Sequence, residues 1–385
     1  MNYAFKFSIF KFAKYLNFAF QVELQYQIAL TLVDGVGPVI AKNLISYCGS
    51  ASAVFKAKRS TLLKIPEIGE VTAKAVLAFS DFQKAEDELK FIEKHKIKTF
   101  FYASSDYPYR LKSTADCPVV LYQFGNADLN ADKIIGIVGT RKPTEYGKQF
   151  CEKLLEDLNG TGITVISGMA YGIDVCAHKA ALKNKLPTIG VLAHGLDRLY
   201  PADHKKYVQP MIDGKGGLIT EFLSGTNPDR ENFPRRNRIV AGLCDALIVI
   251  ETAQRGGSMI TAELAWQYDR ILMALPGRSN DEKSTGCNFL IKTNKAEMIE
   301  NSLDLVRSLG WDTSSRLPPS QRSLPIDLSP EEILLWDLFK ETSLMEIDEI
   351  ISVSKFSSSQ AALTLLDLEF KGLIKTLPGK RFQLL

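Results

Sequence analysis

The segment KIIGIVGTRKPTEYGKQFCEKLLEDLNGTGITVISGM, residues 133–169, decides the fold. Its two short runs rich in Ile and Val, 133–139 and 163–167, enclose a stretch at 145–158 whose apolar residues recur at helical spacing. Near-continuous apolar strands are typical of a parallel sheet covered on both faces, and a helix is the usual connection between two such strands. The segment therefore predicts one strand–helix–strand unit of a doubly wound α/β sheet.

The same alternation continues toward the carboxyl terminus. Four further apolar runs are TIGVL at 188–192, GGLITE at 216–221, ALIVIE at 246–251 and ILMALPG at 271–277. Two more strands are expected upstream, at 99–102 and 119–125. The predicted fold class of residues 98–312 is α/β, a Rossmann-like, doubly wound and mostly parallel sheet.

Residues 23–97 are expected to form a separate helical domain. The segments at 30–49 (LTLVDGVGPVIAKNLISYCG) and 64–79 (KIPEIGEVTAKAVLAF) each place a glycine-containing turn before a helical apolar pattern. Two such units in tandem resemble a SAM-like helix-hairpin-helix pair, in which backbone N–H groups of the hairpin face a phosphate. Glu67 stands where the second copy would need its first glycine, so both units are also interpretable as packing hairpins that touch no DNA.

The carboxyl-terminal part predicts a linker and a small third domain. Residues 313–328 are rich in Ser, Pro and Arg, a composition typical of a linker. Within residues 329–385, helical patterns at 330–340, 345–352 and 358–371 precede strands at 374–376 and 381–383, which is the layout of a winged helix. Acidic residues outnumber the scattered cations there, so a protein partner is favoured over duplex DNA.

Composition narrows the class of protein. A chain of 385 residues with 45% hydrophobic and 24% charged residues is expected to fold into two or three domains. The net charge is only +3, so a site for a polyanion has to come from a local cluster of cations. The six cysteines are scattered singly and show no zinc-binding spacing, which favours reduced thiols in a cytoplasmic protein without a metal.

Residues 1–22 are expected to be an extension that is disordered or precedes the true start of translation. Lys6, Lys11 and Lys14 interrupt every apolar run, so no stretch reaches the roughly 20 apolar residues that a membrane span needs. The same lysines argue against a signal peptide. An amphipathic surface helix is the alternative for this segment, but no membrane association is expected.

Strand ends of the predicted sheet carry small, hydroxylated and basic residues. Because parallel strands end at one edge of a sheet, and loops there open into helices with free N–H groups, this pattern predicts a phosphate site. No GxGxxG follows the first strand, which argues against a nicotinamide cofactor, and no cofactor is expected. The candidate residues are Gly139, Thr140, Arg141 and Lys142, then Ser167, Gly168, Met169 and Ala170, and finally Gly256, Gly257, Ser258 and Thr261.

The arginine-rich segment, residues 227–238, contains four arginines around one aromatic residue and two prolines, and a loop ahead of a helix is expected there. Phe233 has no periodic apolar partners, so a projecting ring is expected. A ring beside guanidinium groups suits single-stranded nucleic acid, whose bases expose faces for stacking. The candidate residues of this segment are Arg230, Phe233, Arg235, Arg236, Asn237 and Arg238.

Six ordered motifs carry a family resemblance: GTRKPTEYG, SGMAYGIDVCAHKAAL, GVLAHGLDRLYP, NFPRRNRIVAGL, ETAQRGGSMITAELA and ALPG. Together they resemble the DNA-processing protein A family (DprA, also called Smf) over about residues 24–385. The sequence departs from the family pattern in its extra amino-terminal residues and in GGSMITA, where an SGSLITA-like string is commoner.

The resemblance implies a homodimer without catalytic turnover that binds incoming single-stranded DNA during natural transformation and loads the RecA recombinase. It implies that Arg141 holds a phosphate with Ser167 and Gly168 nearby, and that Arg230 and Phe233 contact backbone and base. Gly256, Gly257 and Ser258 would close the groove. The dimer surface is expected near residues 289–299.

Two other classes of function stay open. A phosphoribohydrolase of the lysine-decarboxylase-like type shares a Rossmann-like sheet and a Gly-Gly-Ser loop, with Asp174 and Glu263 as possible bases. Base release from nucleoside monophosphates, abolished by Glu263→Gln, would identify it. A duplex-binding repressor working through the winged helix is the third class. His178, His194 and Cys287 lack the neighbours that catalysis needs, and no HExxH, GxSxG or Walker motif occurs.

Overall fold

A computed structural model of the chain describes residues 21–311, 328–342, 344–377 and 379–384. Residues 1–20 of the predicted extension lie outside the described residues. Residues 313–327 of the predicted linker lie outside them as well. Within the described ranges, no helix combines the length and the apolar character needed to cross a bilayer.

The amino-terminal part is helical, as predicted. Gly35, with φ of 75°, makes the first hairpin turn, and Gly37 caps the helix that follows. In the second hairpin Glu67 adopts φ of 66°, a left-handed conformation that glycine accepts more readily. The helices are α1 (21–31), α2 (Pro38–Cys48), α3 (Ala51–Lys56), α4 (Arg59–Leu62), α5 (Glu70–Ala78) and α6 (Phe82–His95).

A nine-stranded sheet forms the centre of the molecule, in the order β1-β2-β6-β5-β4-β3-β7-β8-β9. The ladder is parallel from β6 to β9, whereas β1, β2 and β6 pair antiparallel. The predicted mostly parallel sheet is thus confirmed. The strands are β1 (Lys98–Phe101), β2 (Val120–Gly125), β3 (Ile134–Gly139), β4 (Thr164–Ser167), β5 (Thr188–Val191), β6 (Gly217–Thr220), β7 (Ala246–Ile250), β8 (Ile271–Ala274) and β9 (Glu297–Met298).

Helices cover both faces of the sheet, which is why its central strands are apolar throughout. In β3, Ile134 and Val138 pack into the core on one face, and Ile135 and Ile137 into the core on the other. The helices are α7 (Tyr109–Lys112), α8 (Glu145–Asp157), α9 (Ile173–Lys183), α10 (Lys205–Asp213), α11 (Asn232–Leu243), α12 (Gly257–Gln267), α13 (Thr285–Lys292) and α14 (Ser302–Ser308), with 3₁₀ turns at Ala202–His204 and Glu282–Ser284.

One local expectation about the arginine-rich segment is wrong. α11 begins at Asn232, so residues 233–238 are helical rather than a loop ahead of the helix. Pro234 falls in the first turn, where a proline is tolerated because the N–H groups there have no intrahelical acceptor. The helical geometry sends successive side chains of this segment in different directions, so only some of them can face a ligand.

The carboxyl-terminal unit has the predicted winged-helix layout, with one additional strand. Met345 lies in a short strand rather than at the start of the second helix. The elements are α15 (Pro330–Glu341), β10 (Leu344–Glu346), α16 (Ile347–Ser354), α17 (Ser358–Phe370), β11 (Ile374–Leu377) and β12 (Arg381–Leu384). The three strands form one antiparallel sheet in the order β10-β12-β11.

A buried carboxylate joins the winged unit to the central domain. Asp245, just before β7, accepts hydrogen bonds from Arg110 Nε at 2.7 Å and from Arg381 Nη2 of β12 at 3.0 Å. It also accepts one from the backbone N–H of Ile134 at 3.0 Å. All three charged side chains are less than a tenth exposed, so this carboxylate balances buried positive charge from two domains.

Candidate nucleic-acid interface

A groove of about 1180 Å³ opens at the carboxyl ends of β3, β4 and β7. These strands are neighbours in the sheet, so the loops that follow them meet at one edge. α11 and the start of α12 complete its walls. The predicted site residues that line this groove are Gly139, Thr140, Arg141, Gly168, Ala170, Arg230, Phe233, Arg236, Asn237, Gly256, Gly257, Ser258 and Thr261.

The loop after β3 is held in shape by a buried glutamate. Glu251 accepts hydrogen bonds from the backbone N–H of Thr144, at 2.7 Å, and from the Thr144 hydroxyl. Gly139 is required here, because a Cβ would lie 2.0 Å from the carbonyl oxygen of Ile250. The loop backbone is therefore held against the strand ends, and the side chains of Arg141 and Lys142 are left exposed.

Arg236 forms part of the groove floor. Its guanidinium donates hydrogen bonds to the carbonyl oxygens of Gly168, at 2.6 Å, and Val191. A Cβ at Gly168 would lie 2.6 Å from the Arg236 guanidinium carbon, so glycine is needed for this close approach. Burial raises the pKa of the adjacent Asp174, while the positive charges of Arg236 and Arg141 oppose that rise. Arg236 thus supplies a buried charge beneath the groove, and its hydrogen bonds orient the loop after β4.

Phe233 projects into the groove among cations and a second ring. Its ring centre lies 5.6 Å from the guanidinium carbon of Arg141 and 5.9 Å from that of Arg236. The ring of Tyr200 meets it edge-on at 6.3 Å. Phe233 is only partly buried, as its lack of periodic apolar partners predicted.

The amino-terminal end of α12 offers backbone rather than side chains. Gly256 caps the helix without a side-chain hydrogen bond, and no acidic residue lies in the first turn. Ser258 is buried and donates to the Thr252 hydroxyl at 3.2 Å, and Thr261 is buried as well. This end of the groove therefore presents N–H groups and a positive helix end, the arrangement that favours an anion.

Five predicted residues do not line this groove. Ser167 is fully buried and donates its hydroxyl to the carbonyl oxygen of Ile137 at 2.6 Å, and Met169 packs in a small apolar cluster. Arg238 is buried in an ion pair with Glu221 and also donates to the carbonyl oxygen of Asp116. Arg235 is exposed near Glu221, and Lys142 lines a neighbouring cleft. For Ser167 and Arg238, the expectation of direct contact is corrected, because their polar groups are already satisfied inside the fold. Met169 lines a small pocket together with Arg141 and Phe233, so its contact with a ligand stays a prediction.

Sequence reasoning missed two aromatic residues and the group that positions one of them. Tyr200 is 50% exposed and Tyr171 is 47% exposed at the rim. The Nε2 atom of His194 accepts a hydrogen bond from the Tyr200 backbone N–H at 3.1 Å, while its Nδ1 lies 2.9 Å from the carbonyl oxygen of Gly195. Burial lowers the pKa of His194, in keeping with a neutral ring that orients the loop. Only the tertiary fold brings these residues beside Phe233.

The residues considered for catalysis are buried or engaged in contacts within the fold. His178 is buried against the Thr188 hydroxyl at 2.7 Å, and burial lowers its pKa to about 3. The Glu263 carboxylate is paired with Lys295 at 2.7 Å. Cys287 is fully buried. Within the described part of the chain, no group of three or more metal-ligating side chains comes together.

Comparisons with known proteins agree with this architecture over all three domains. A family model described as DNA recombination-mediator protein A matches residues 98–310. A SAM-like helix-hairpin-helix tandem matches residues 28–79, and a DprA winged helix domain matches residues 318–380.

Two curated relatives extend the comparison. Protein Smf of Synechocystis is 30% identical to this chain, and the match covers 94% of this chain and 98% of the relative. The DNA processing protein DprA of Streptococcus pneumoniae is 33% identical, over 66% of this chain and 96% of its own.

Two solved structures share the fold. The crystal structure of DNA processing protein A from Streptococcus pneumoniae superimposes with a TM-score of 0.62 at 29% identity, over 74% of this chain and 97% of that one. A Helicobacter pylori DNA processing protein A, solved for its single-stranded DNA binding mode, gives a TM-score of 0.51 at 31% identity, over 56% of this chain and 97% of that one. With the family model spanning more than half of its length, the chain belongs to the DNA recombination-mediator protein A family, also named DprA or Smf.

Proposed function

We propose that the groove binds single-stranded DNA, with its phosphates on Arg141, Arg230 and the start of α12 and a base on Phe233. The observation that carries the proposal is the Phe233 ring, partly exposed and 5.6 Å from the Arg141 guanidinium. A single strand offers both a charged backbone and unpaired base faces, whereas a duplex hides those faces. The Helicobacter pylori relative was solved for its single-stranded DNA binding mode, which supports the same ligand class here.

Replacing Phe233 with Ala should weaken binding of single strands by about tenfold, because stacking on an aromatic ring contributes roughly 1–3 kcal/mol per base. Duplex binding should change by less than twofold, since paired bases cannot reach the ring. Fluorescence anisotropy with labelled single-stranded and duplex oligonucleotides measures both. Phe233→Tyr is the matched control and should bind like wild type. Equal losses for the two ligands after Phe233→Ala would rule out stacking.

We further propose that the chain acts as a recombination mediator that loads RecA onto the bound strand, in the cytoplasm and without catalytic turnover of its own. Membership of the recombination-mediator family supports this role, and uptake of DNA in natural transformation is the setting that the resemblance suggests. The described groove supports it too, because four arginines, Arg141, Arg230, Arg236 and Arg255, line it against two acidic residues, Asp174 and Glu263. The direct test is the rate at which RecA assembles on a strand that already carries this protein.

Two copies of the chain are proposed to associate through the β9 edge of the sheet. Phe289 and Met298, within the predicted 289–299 segment, are 38% and 49% exposed, and Trp266 nearby is 49% exposed. The edge of β9 also leaves backbone groups available for pairing. Exposed apolar side chains beside an open strand edge favour a protein interface.

Met298→Arg should shift the protein from dimer to monomer, because it places a charge in the centre of that apolar surface. Molar mass from light scattering during size-exclusion chromatography measures the change. Val71→Arg, at a residue 84% exposed on the helical domain, is the control and should leave the mass unchanged. A dimer that survives Met298→Arg at low micromolar concentration would contradict this interface.

A further inference from the structure

A second cleft, of about 540 Å³, adjoins the groove and shares Arg141 with it. We call it the lysine cleft. Its walls come from the loop after β3 and from the facing surfaces of α8 and α9. The residues lining it are Arg141, Lys142, Pro143, Lys148, Glu152, Tyr171, Gly172, Val175, Cys176 and Lys179. Four of these side chains are cationic and one is acidic, so the lysine cleft has an excess of positive charge that the net charge of the chain does not indicate.

The cations of the lysine cleft are available for a ligand. The side chain of Lys148 is 45% exposed, and its ion pair with Glu145 at 3.4 Å is of the surface kind that contributes little. Lys179 is exposed and forms no ion pair with any described residue. Long ammonium side chains in water can therefore turn toward a phosphate at small cost.

The thiol on the floor of the cleft experiences this positive charge. Cys176 is partly exposed, and a hydrogen bond from Cys151 lowers its pKa. The charges of Lys179 and Lys148 lower that pKa further, although burial and Glu152 oppose them. Lys148 and Lys179 thus contribute positive charge at the floor of the cleft.

Tyr171 connects the two sites. Its ring lines both the lysine cleft and a small aromatic pocket that contains Phe233 and Tyr200. The ring is 47% exposed and meets His204 edge-on at 5.0 Å. Tyr171 therefore offers an aromatic surface suited to base stacking between the pocket of Phe233 and the lysine cleft.

We propose that the lysine cleft is a second binding site for the sugar–phosphate backbone of the same single strand that the groove holds. The strand would pass Arg141 and Tyr171 and place phosphates against Lys148 and Lys179. This inference rests on the proposed function of the groove and extends it, since it defines a longer footprint and a direction of exit over α8 and α9. Recognition there is independent of sequence, because the contacts are to phosphates.

The test compares short and long strands. Oligonucleotides of about 5 and about 15 nucleotides lie near the two ends of the roughly 4–16 nucleotides that a compact single-strand-binding domain covers. For wild type, affinity should rise with length across this range. The double variant Lys148→Ala with Lys179→Ala should bind the short strand like wild type and the long strand about tenfold more weakly. For the long strand, the negative slope of log K against log salt should become less steep by about 0.7 for each lost phosphate contact.

Lys153→Ala with Lys183→Ala is the matched control, because it removes the same charge from the same two helices outside the lysine cleft. Lys153 is already paired with Asp157 at 2.9 Å. This control should bind both strands like wild type. Equal losses in the two double variants, or an unchanged long-strand affinity in the first, would overturn the lysine cleft as a site. Failure of wild type to bind even the short strand would instead refute the groove itself.

Discussion

Arg141→Ala is expected to reduce the affinity for single-stranded DNA by roughly 30-fold, which corresponds to about 2 kcal/mol for a lost charge-assisted contact. The exposed guanidinium lines both the groove and the lysine cleft and lies beside the Phe233 ring. Because a phosphate contact carries no base information, oligonucleotides of different sequence should lose affinity alike. The negative slope of log K against log salt should become less steep by about 0.7.

Gel shifts and anisotropy with homopolymeric and mixed strands measure this loss. Arg278→Ala removes the same charge from an exposed position outside the groove and should have little effect. The same Arg141→Ala protein should also fail to accelerate RecA assembly, since loading requires the bound strand. A loss confined to particular sequences would mean that Arg141 reads bases, contrary to the proposed backbone contact.

Asp245→Ala is expected to destabilise the central domain by about 3–5 kcal/mol, because it leaves Arg110 and Arg381 buried without their shared carboxylate. Arg110 Nη1 already lacks a hydrogen-bond partner among the described residues, so the surroundings have little capacity to compensate. For a domain of this size the melting temperature should fall by roughly 10 °C.

Calorimetry measures the transition, and limited proteolysis after residue 311 reports whether the winged unit has been released. Arg59→Ala, which breaks the exposed Arg59–Glu70 pair at 2.6 Å, is the control and should cost less than about 1 kcal/mol. Arg381→Leu should free the winged unit while leaving the Arg110–Asp245 pair intact. A melting temperature of Asp245→Ala within 2 °C of wild type, about the shift that 1 kcal/mol produces, would show that the network contributes little.

The parallel sheet and its order of elements were predictable because apolar runs of four to six residues report burial on both faces directly. The convergence of the strand ends was predictable as well, because parallel strands place their carboxyl ends at one edge of the sheet. Gly139, Gly168 and Gly256 each meet a backbone or side-chain atom that leaves no room for a Cβ. Their role in the groove thus follows from the need for close approach.

The arginines could not be sorted from the sequence alone. The sequence does not distinguish Arg235, Arg236 and Arg238, but α11 points their side chains in different directions. Arg236 reaches under the groove, Arg238 pairs with the buried Glu221, and Arg235 stays in solvent. An arginine in an assumed loop carries no such directional information, and the early start of the helix at Asn232 was the missing fact.

Tyr171, Tyr200 and the lysine cleft were missed because they depend on contacts between segments far apart in the chain. Tyr200 meets Phe233 across 33 positions, and Lys148 and Lys179 come from two different helices. Neither pair forms a local motif, and only the packing of α8 on α9 brings the two lysines to one surface.

Photochemical crosslinking tests the groove most directly. A single strand carrying iodouridine at one position is irradiated in complex with the protein, and the crosslinked peptide is identified by mass spectrometry. The account predicts crosslinks to peptides containing Phe233 and Tyr200, and their loss in Arg141→Ala at equal protein concentration. Crosslinks confined to the helical domain or to α17, with none at Phe233 or Tyr200, would show that the strand binds elsewhere.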